Sequence, residues 1–156
     1  MYKRQSIHES IKSSFPTVSH IEASSIETAL DRYVIFDVRE REEYAVSAIR
    51  GAIQIDPDIS QSEFKTLYGD MIKDKNVLVY CSVGFRSSHL ASRLGKNADD
   101  LGLKSIQNLE GGLFGWHNEN RPVYNQDQET DLIHPYDAQW GQLVQREALR
   151  SYSPSQ

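Results

Sequence analysis

Val77-Leu-Val-Tyr-Cys-Ser-Val-Gly-Phe-Arg-Ser-Ser88 holds the chain's one cysteine and decides how the rest is read. Val77 to Tyr80 form a short apolar run of the kind that makes a buried strand. Cys81 stands where that strand ends, and Gly84 permits backbone angles that other residues resist. From about Arg86 a helical pattern begins, with Leu90, Leu94 and Leu101 at compatible spacing. A cysteine in a tight strand-to-helix loop faces backbone N–H groups and the positive end of a helix dipole. That setting favours the thiolate, the nucleophilic form. A lone cysteine is more often an inert small hydrophobe. The Ser, Gly and Arg flanking Cys81 predict a working nucleophile instead.

Outward from this loop, apolar runs alternate with helical patterns. On the N-terminal side the pattern predicts an amphipathic helix over residues 3 to about 13, with Ile7, Ile11 and Phe15 on one face and Pro16 as its stop. A strand follows over Val18 to Ile21, then a helix from a Ser24 or Ser25 cap to about Asp31. Tyr33 to Asp37 reads as a strand and Glu40 to about Ser47 as a charged helix, with Glu42 and Glu43 on a solvated face. Ala52 to Ile55 reads as a strand, Gln61 to about Ile72 as a helix. On the C-terminal side of the loop come helix 86–100, strand 105–109 and a short helix from Gly112. This order predicts an α/β fold with a mainly parallel sheet and helices on both faces. In such sheets the site lies beyond the carboxyl ends of the strands. Asp37 and Cys81 both stand at such ends, and the loop of Gly111 and Gly112 is positioned to wall the same pocket. Gly111, Gly112 and Gly115 read as a tight turn and close packing, not as a phosphate fingerprint. Trp116 reads as core, and Phe85 as the mouth of the pocket.

The motifs also fit a known family. Cys81-x-x-Gly84-x-Arg86-Ser87 resembles the active-site loop of rhodanese-like sulfurtransferases. Asp37-Val38-Arg39, Glu43-Tyr44, Ile49-x-Gly51-Ala52, Leu109-Glu110-Gly111-Gly112, Gly115-Trp116 and Arg121-Pro122-Val123 occur in that family's order, across roughly residues 18 to 124. Two departures stand out. Ala48 replaces a histidine that many members carry, and Ser82 and Val83 replace the basic residue that some thiosulfate users carry after the cysteine. The resemblance implies a rhodanese-like three-layer domain over 17–124, preceded by an N-terminal helical segment (1–16) and followed by an extension (125–156). It implies Cys81 and Arg86 as catalytic, Ser82, Val83, Gly84, Phe85 and Ser87 as the substrate-binding loop, and Asp37, Arg39 and Glu43 as supporting residues.

The implied chemistry is double displacement. Cys81 takes a sulfane sulfur from thiosulfate or a persulfide, a protein persulfide included, and passes it to a thiol or cyanide acceptor. No metal or organic cofactor is implied. Four residues separate Cys81 from Arg86, one fewer than the longer loop that encircles a phosphoryl group in cysteine phosphatases. Arg86 has two readings: it binds an anionic donor or stabilises the thiolate, or it pairs with Asp37 or Glu43 to shape the loop. Asp37 and Arg39 read as a fold-holding pair. Competing functions are a silent binding or regulatory module on the same fold, and a cysteine-dependent phosphatase or arsenate reductase. The latter would want a resolving cysteine, and the chain has only Cys81.

Composition narrows the partners. The formal net charge is −5, which argues against nucleic acid, whose phosphates select a basic face. Small anions gain nothing from that charge at a distance, so their affinity must come locally from loop amides and Arg86. No apolar run approaches the roughly 20 residues needed to span a bilayer. The first residues lack a signal-peptide core, and one cysteine makes no internal disulfide. A cytoplasmic protein is therefore expected.

Beyond Asn125 the pattern changes. Asn125 to Asp131 reads as a polar linker, His134 to Gly141 as a turn-rich segment with Tyr136 and Trp140, and Gln142 to Leu149 as a helix. Ser151 to Gln156 reads as a frayed end. Two roles are open for this arm: packing on the domain or a second subunit, or docking a partner. In either, the site motifs all precede it, so a chain ending at Asn125 is expected to fold and to load sulfur.

Overall fold

A computed structural model describes residues 4–154. Its centre is a five-stranded, wholly parallel sheet. The strands are β1 (Ser19–Ile21), β2 (Tyr33–Asp37), β3 (Ile53–Gln54), β4 (Asn76–Tyr80) and β5 (Ser105–Leu109), in the spatial order β1-β5-β4-β2-β3. The Cys81 loop leaves β4, the middle strand. Side chains alternate along β4 between two cores, as a pleated strand with both faces buried requires. Val77 and Val79 face one core with Phe36, Phe64, Leu90 and Leu94. Leu78 and Tyr80 face the other with Ile26, Leu113, Phe114 and Trp116.

Helices cover both faces. α1 is Arg4–Ser14, α2 Ala23–Ile26, α3 Arg41–Val46, α4 Gln61–Ile72, α5 Phe85–Gly95, α6 Ala98–Leu101 and α7 Gly112–Asn118. The helix α4 matches its apolar pattern, opened by Ser60, whose hydroxyl accepts from the Glu63 N–H at 3.1 Å. Other expectations need correction. The helix expected up to Asp31 stops at Ile26, and Leu30–Arg32 forms a 3-10 turn instead. Its N-cap is Glu22, not Ser24 or Ser25. The helix expected over 86–100 divides into α5 and α6. The strand expected over Ala52 to Ile55 is only Ile53–Gln54, with one further bond from the Ile55 N–H to Asp37 O at 2.9 Å. The expected start of α1 at residue 3 lies outside the described residues.

The segment after Asn125 differs most from its reading. The presumed linker is a two-stranded hairpin, β6 (Val123–Asn125) with β7 (Gln128–Thr130). The presumed helix is two 3-10 turns, Trp140–Leu143 and Glu147–Leu149. Ile133 and Val144 are fully buried in the core that holds Leu78 and Tyr80. The Ile133 N–H donates to Leu149 O, and the Ser151 N–H to Ile133 O. Tyr152 packs edge-on to His134 at 5.0 Å. Ser151 and Tyr152 are therefore held rather than frayed, while 155–156 lie outside the described residues. Burying Ile133 and Val144 completes the core under the sheet, which the apolar periodicity of 17–124 alone does not reveal. Among the described residues no helix is long and apolar enough to cross a membrane.

Ile133→Ala tests this account of the extension. Deleting a fully buried isoleucine should lower unfolding free energy by about 2–5 kcal/mol, read from equilibrium urea denaturation. A loss no larger than about 0.5 kcal/mol, typical of surface changes, would show that the extension is not part of the core.

Candidate active site

The loop from Cys81 to Arg86 joins β4 to α5. Gly84 is the N-cap of α5 and has φ +115°, a conformation other residues adopt only with strain. That twist lets the Gly84 N–H donate to Cys81 Sγ at 3.1 Å. It also brings the loop against β5, where a Cβ on Gly84 would lie 3.3 Å from Asn108 Nδ2. The first hydrogen bond of α5 runs from the Ser88 N–H to Gly84 O. The N–H groups of Phe85, Arg86 and Ser87 therefore have no partner within the helix. Ser87 Oγ lies 3.4 Å from Cys81 Sγ and 2.6 Å from Asn108 Oδ1. Asn108 Nδ2 in turn lies 3.1 Å from His20 Nδ1. Cys81 itself is buried.

From below, Gly112 grips the loop backbone. A Cβ at Gly112 would fall 2.4 Å from Ser82 O and 2.6 Å from Cys81 O, and φ is +58°. Only glycine leaves that space open. The closeness lets the Leu113 N–H donate to Cys81 O at 2.8 Å and the Phe114 N–H to Ser82 O at 3.0 Å. Gly112 thus holds the loop, and neither Gly111 nor Gly112 walls the cavity over Cys81 as their order in the sequence suggested.

Arg86 resolves its two sequence readings toward a carboxylate partner, and that partner is Glu43. Its Nη1 donates to Glu43 Oε2 at 2.7 Å and its Nη2 to Glu43 Oε1 at 2.9 Å. The Nη2 also reaches Ser82 Oγ at 2.9 Å, and Ser82 Oγ donates to Glu43 Oε1 at 3.0 Å. Glu43 is 2% exposed, which corrects its reading as part of a solvated helix face; Glu42 is the exposed member of the pair. A capping box sets its position: the Glu40 N–H donates to Glu43 Oε2 at 2.9 Å at the start of α3. Burial opposes the Glu43 charge. The Arg86 fork, the Glu40 N–H and nearby Arg39 outweigh it and hold the carboxyl below the ordinary carboxylate range.

Asp37 and Arg39 form a separate, fully buried pair. Arg39 Nε and Nη2 donate to Asp37 Oδ1 and Oδ2 at 2.7 and 2.6 Å. Nη2 also donates to Ser47 O at 2.7 Å, and the Tyr80 hydroxyl donates to Asp37 Oδ2 at 2.6 Å. Arg39 Nη1 has no partner among the described residues. Tyr80 accepts from the Ile49 N–H at 3.0 Å. The network ties the exits of β2 and β4 together next to the cysteine loop. Asp37 does not reach the cavity at Cys81, so the convergence expected of the two strand ends is between scaffolds, not within one pocket.

The cavity over Cys81 has a volume of about 510 Å³. Ile7 and Ile11 of α1 line one side, Val83 and Phe85 of the loop another, and Tyr136 and Trp140 a third. Phe85 is 55% exposed and packs edge-on against Phe15 at 5.4 Å. The Arg86 guanidinium lies 4.9 Å from the Tyr136 ring centre. Tyr136 and Trp140 were not among the residues the sequence singled out for the site, and neither were Asn108 and His20. The aromatic-rich stretch His134 to Gly141 was the available signal for the first two. The division that kept the extension out of the site is therefore corrected.

The Rhodanese-like domain model matches residues 22–119. This chain belongs to the rhodanese-like family. It is 35% identical over 97 residues to YtwF of Bacillus subtilis (strain 168), named as a sulfurtransferase, covering 62% of this chain and 84% of that one. It is 30% identical over 102 residues to the thiosulfate sulfurtransferase GlpE of Coxiella burnetii, covering 65% and 87%. A tRNA uridine(34) hydroxylase of Buchnera aphidicola matches at 28% identity over 127 residues, 76% of this chain but 38% of the hydroxylase. Among solved structures, a rhodanese-related protein from Thermoplasma volcanium superposes with a TM-score of 0.56 at 29% identity, covering 69% of this chain and 99% of that one.

Burial pushes the imidazoles of His20, His117 and His134 below their ordinary pKa of about 6.5. His117 Nε2 lies 2.7 Å from Asp131 O and donates to it as the neutral ring, while its Nδ1 has no partner among the described residues. The unfolded chain therefore takes up protons first as pH falls, and stability is lost progressively below about pH 6.5. A glutamine at 117 can keep the donor to Asp131 O without titrating. His117→Gln should lose less stability than the parent between about pH 7.5 and about pH 5.5, measured by urea denaturation at both. Equal losses would contradict the assignment.

Proposed function

We propose that this protein is a sulfurtransferase that carries a sulfane sulfur as a persulfide on Cys81. The observation that carries the reading is the cradle around Sγ: the Gly84 N–H is already directed at it, the Ser87 hydroxyl lies 3.4 Å away, and the first-turn N–H groups of α5 have no partner within that helix. Such donors stabilise an anionic sulfur without reorganising at the moment of reaction. In the first step Cys81 thiolate attacks the outer sulfur of a donor. A new S–S bond forms at Sγ, and the donor's own bond to that sulfur breaks, its electron pair leaving with the donor residue. For thiosulfate the leaving group is sulfite. In the second step a thiolate or cyanide attacks the outer sulfur of the persulfide, and Cys81 thiolate returns. Covalent catalysis of this kind replaces one hard transfer with two easier ones.

In this reading Ser82, Val83, Gly84, Phe85 and Ser87 form the loop that holds the transferred sulfur. Arg86 acts as a positioning residue through Glu43 and Ser82, and Asp37 and Arg39 brace the strand exits. A thiolate phosphatase is less well supported. The loop leaves four residues between Cys81 and Arg86, and the Arg86 fork is taken by Glu43 rather than open to a phosphoryl group. The fully buried Asp37–Arg39–Tyr80 network keeps the scaffold intact while the sulfur is exchanged. A cytoplasmic location and small-molecule partners, rather than nucleic acid or membrane, agree with the charge of −5 and the single cysteine.

Intact-mass spectrometry after incubation with thiosulfate tests the proposal. The parent should gain the mass of one sulfur, cyanide should remove it, and Cys81→Ser should gain none. Equal loading in Cys81→Ser would place the sulfur elsewhere and overturn the reading.

A further inference from the structure

The cavity above Cys81 is built for an organic body rather than for a small dianion. At about 510 Å³ it falls within the roughly 300–1,000 Å³ of small-molecule sites, which are mostly apolar with a few placed polar groups. Thiosulfate is far smaller than this space and has no apolar surface to fill it. Six side chains, Ile7, Ile11, Val83, Phe85, Tyr136 and Trp140, present hydrocarbon or aromatic faces to the space. Among the described residues, the cation that lines this cavity, Arg86, has both ends of its fork on Glu43 and lies beneath the Tyr136 ring. Little positive charge is left to reward a second negative charge on a donor.

The wall from the extension is held in place. Tyr136 has φ +70°, a conformation that costs a non-glycine residue about 1–3 kcal/mol and persists only where the surroundings impose it. Here the Tyr136 N–H donates to His134 Nδ1 at 3.0 Å, and the Asp137 N–H donates to Pro135 O at 2.9 Å. The Trp140 N–H donates to Asp137 Oδ1 at 2.7 Å, and the Gly141 N–H to Asp137 O at 2.8 Å. Asp137 therefore anchors the turn that sets Tyr136 over Arg86 and Trp140 into the cavity. Asn would adopt this backbone with less strain than Tyr, yet an aromatic ring stands there.

We infer that the sulfur donor is an organic sulfane-sulfur compound with an apolar body, a hydrophobic persulfide or a chemical equal of one, and that Tyr136 and Trp140 select it. The inference rests on the sulfurtransferase reading for its chemistry, but the pocket's preference stands or falls separately. For a persulfide R–S–SH, Cys81 thiolate attacks the outer sulfur. The Sγ–S bond forms, the donor's S–S bond breaks, and R–S⁻ leaves with the electron pair. The proton stays on the transferred sulfur, and no outside oxidant or reductant is needed.

Thiosulfonates serve as stable probes. Benzenethiosulfonate and methanethiosulfonate carry the same charge and the same transferable sulfur, and differ in the apolar body. Two readouts are measured: the rate of one-sulfur loading on the full chain by intact mass, and binding of each probe to Cys81→Ser by calorimetry. The parent should load from benzenethiosulfonate at least about tenfold faster than from methanethiosulfonate, as expected for burying a ring in place of a methyl. Cys81→Ser should bind the two with a similar ratio. Both ratios should fall several-fold in Tyr136→Asn, chosen because Asn tolerates the backbone at 136, and in Trp140→Ala. Equal loading and equal binding of the two probes would overturn the inference while leaving sulfur transfer intact. Preferential binding of the benzene probe with no loading from any donor would uphold the pocket and overturn the transfer chemistry instead.

Discussion

The bidentate pair between Glu43 and Arg86 is the contact on which the site depends. It joins α3, which follows β2, to the first turn of α5, which follows β4, across 43 residues of chain. It fixes the far end of the cysteine loop, while Gly112 fixes the near end from below. A charge pair this buried stabilises only when its geometry is good and its remaining donors and acceptors are met. Here the Glu40 N–H and the Ser82 hydroxyl meet them. The second buried pair, Asp37 with Arg39, joins the carboxyl ends of β2 and β4 behind the loop through the Tyr80 hydroxyl. Removing Asp37, Arg39 or Arg86 would leave a buried charge without its partner, which is far more damaging than never having had the pair.

That arrangement also changes what the arginine can do. A guanidinium whose fork is closed on a carboxylate shapes the loop rather than receives an anion. The rest of the cavity follows suit: α1 and the C-terminal extension bring apolar side chains to a cysteine that the core domain alone would leave more open. The chain's net charge of −5 points the same way, since no long-range field draws anions toward the site. Family membership accounts for the sheet, the loop and the cysteine. The two flanking segments account for the character of the cavity.

Much of this was legible in the sequence because the signals were local. The strand Tyr33–Asp37, the helix Gln61–Ile72 and the strand Ser105–Leu109 agree with their apolar patterns to the residue. The Asp37–Arg39 pair was legible because its members leave the same strand two residues apart. What was missed depends on contacts distant in sequence or on turns without a marker. Glu43 looks solvated from its charged neighbours, and only Arg86 and Ser82 explain its burial. The β6–β7 hairpin turns at Gln126, with φ +56°, rather than at the glycine that marks tight hairpins. Asn108 reads as an ordinary strand residue until Ser87, in the first turn of α5, packs over it. Tyr136 and Trp140 have no periodicity to declare them, since irregular turns carry their segment.

The central claim is that Arg86 works through Glu43, and a double-mutant cycle tests it most directly. Glu43→Gln, Arg86→Gln and the pair together are compared with the parent by the rate of sulfur loading from thiosulfate, with unfolding free energy measured alongside. The account predicts that each single variant loads at least about tenfold more slowly, and that the double variant is no slower than the slower single one, as for residues acting as one unit. Glu43→Gln leaves Arg86 free to meet an anionic donor. If that variant folds and loads sulfur as fast as the parent or faster, Arg86 is a donor-binding residue held in reserve, and the account is contradicted.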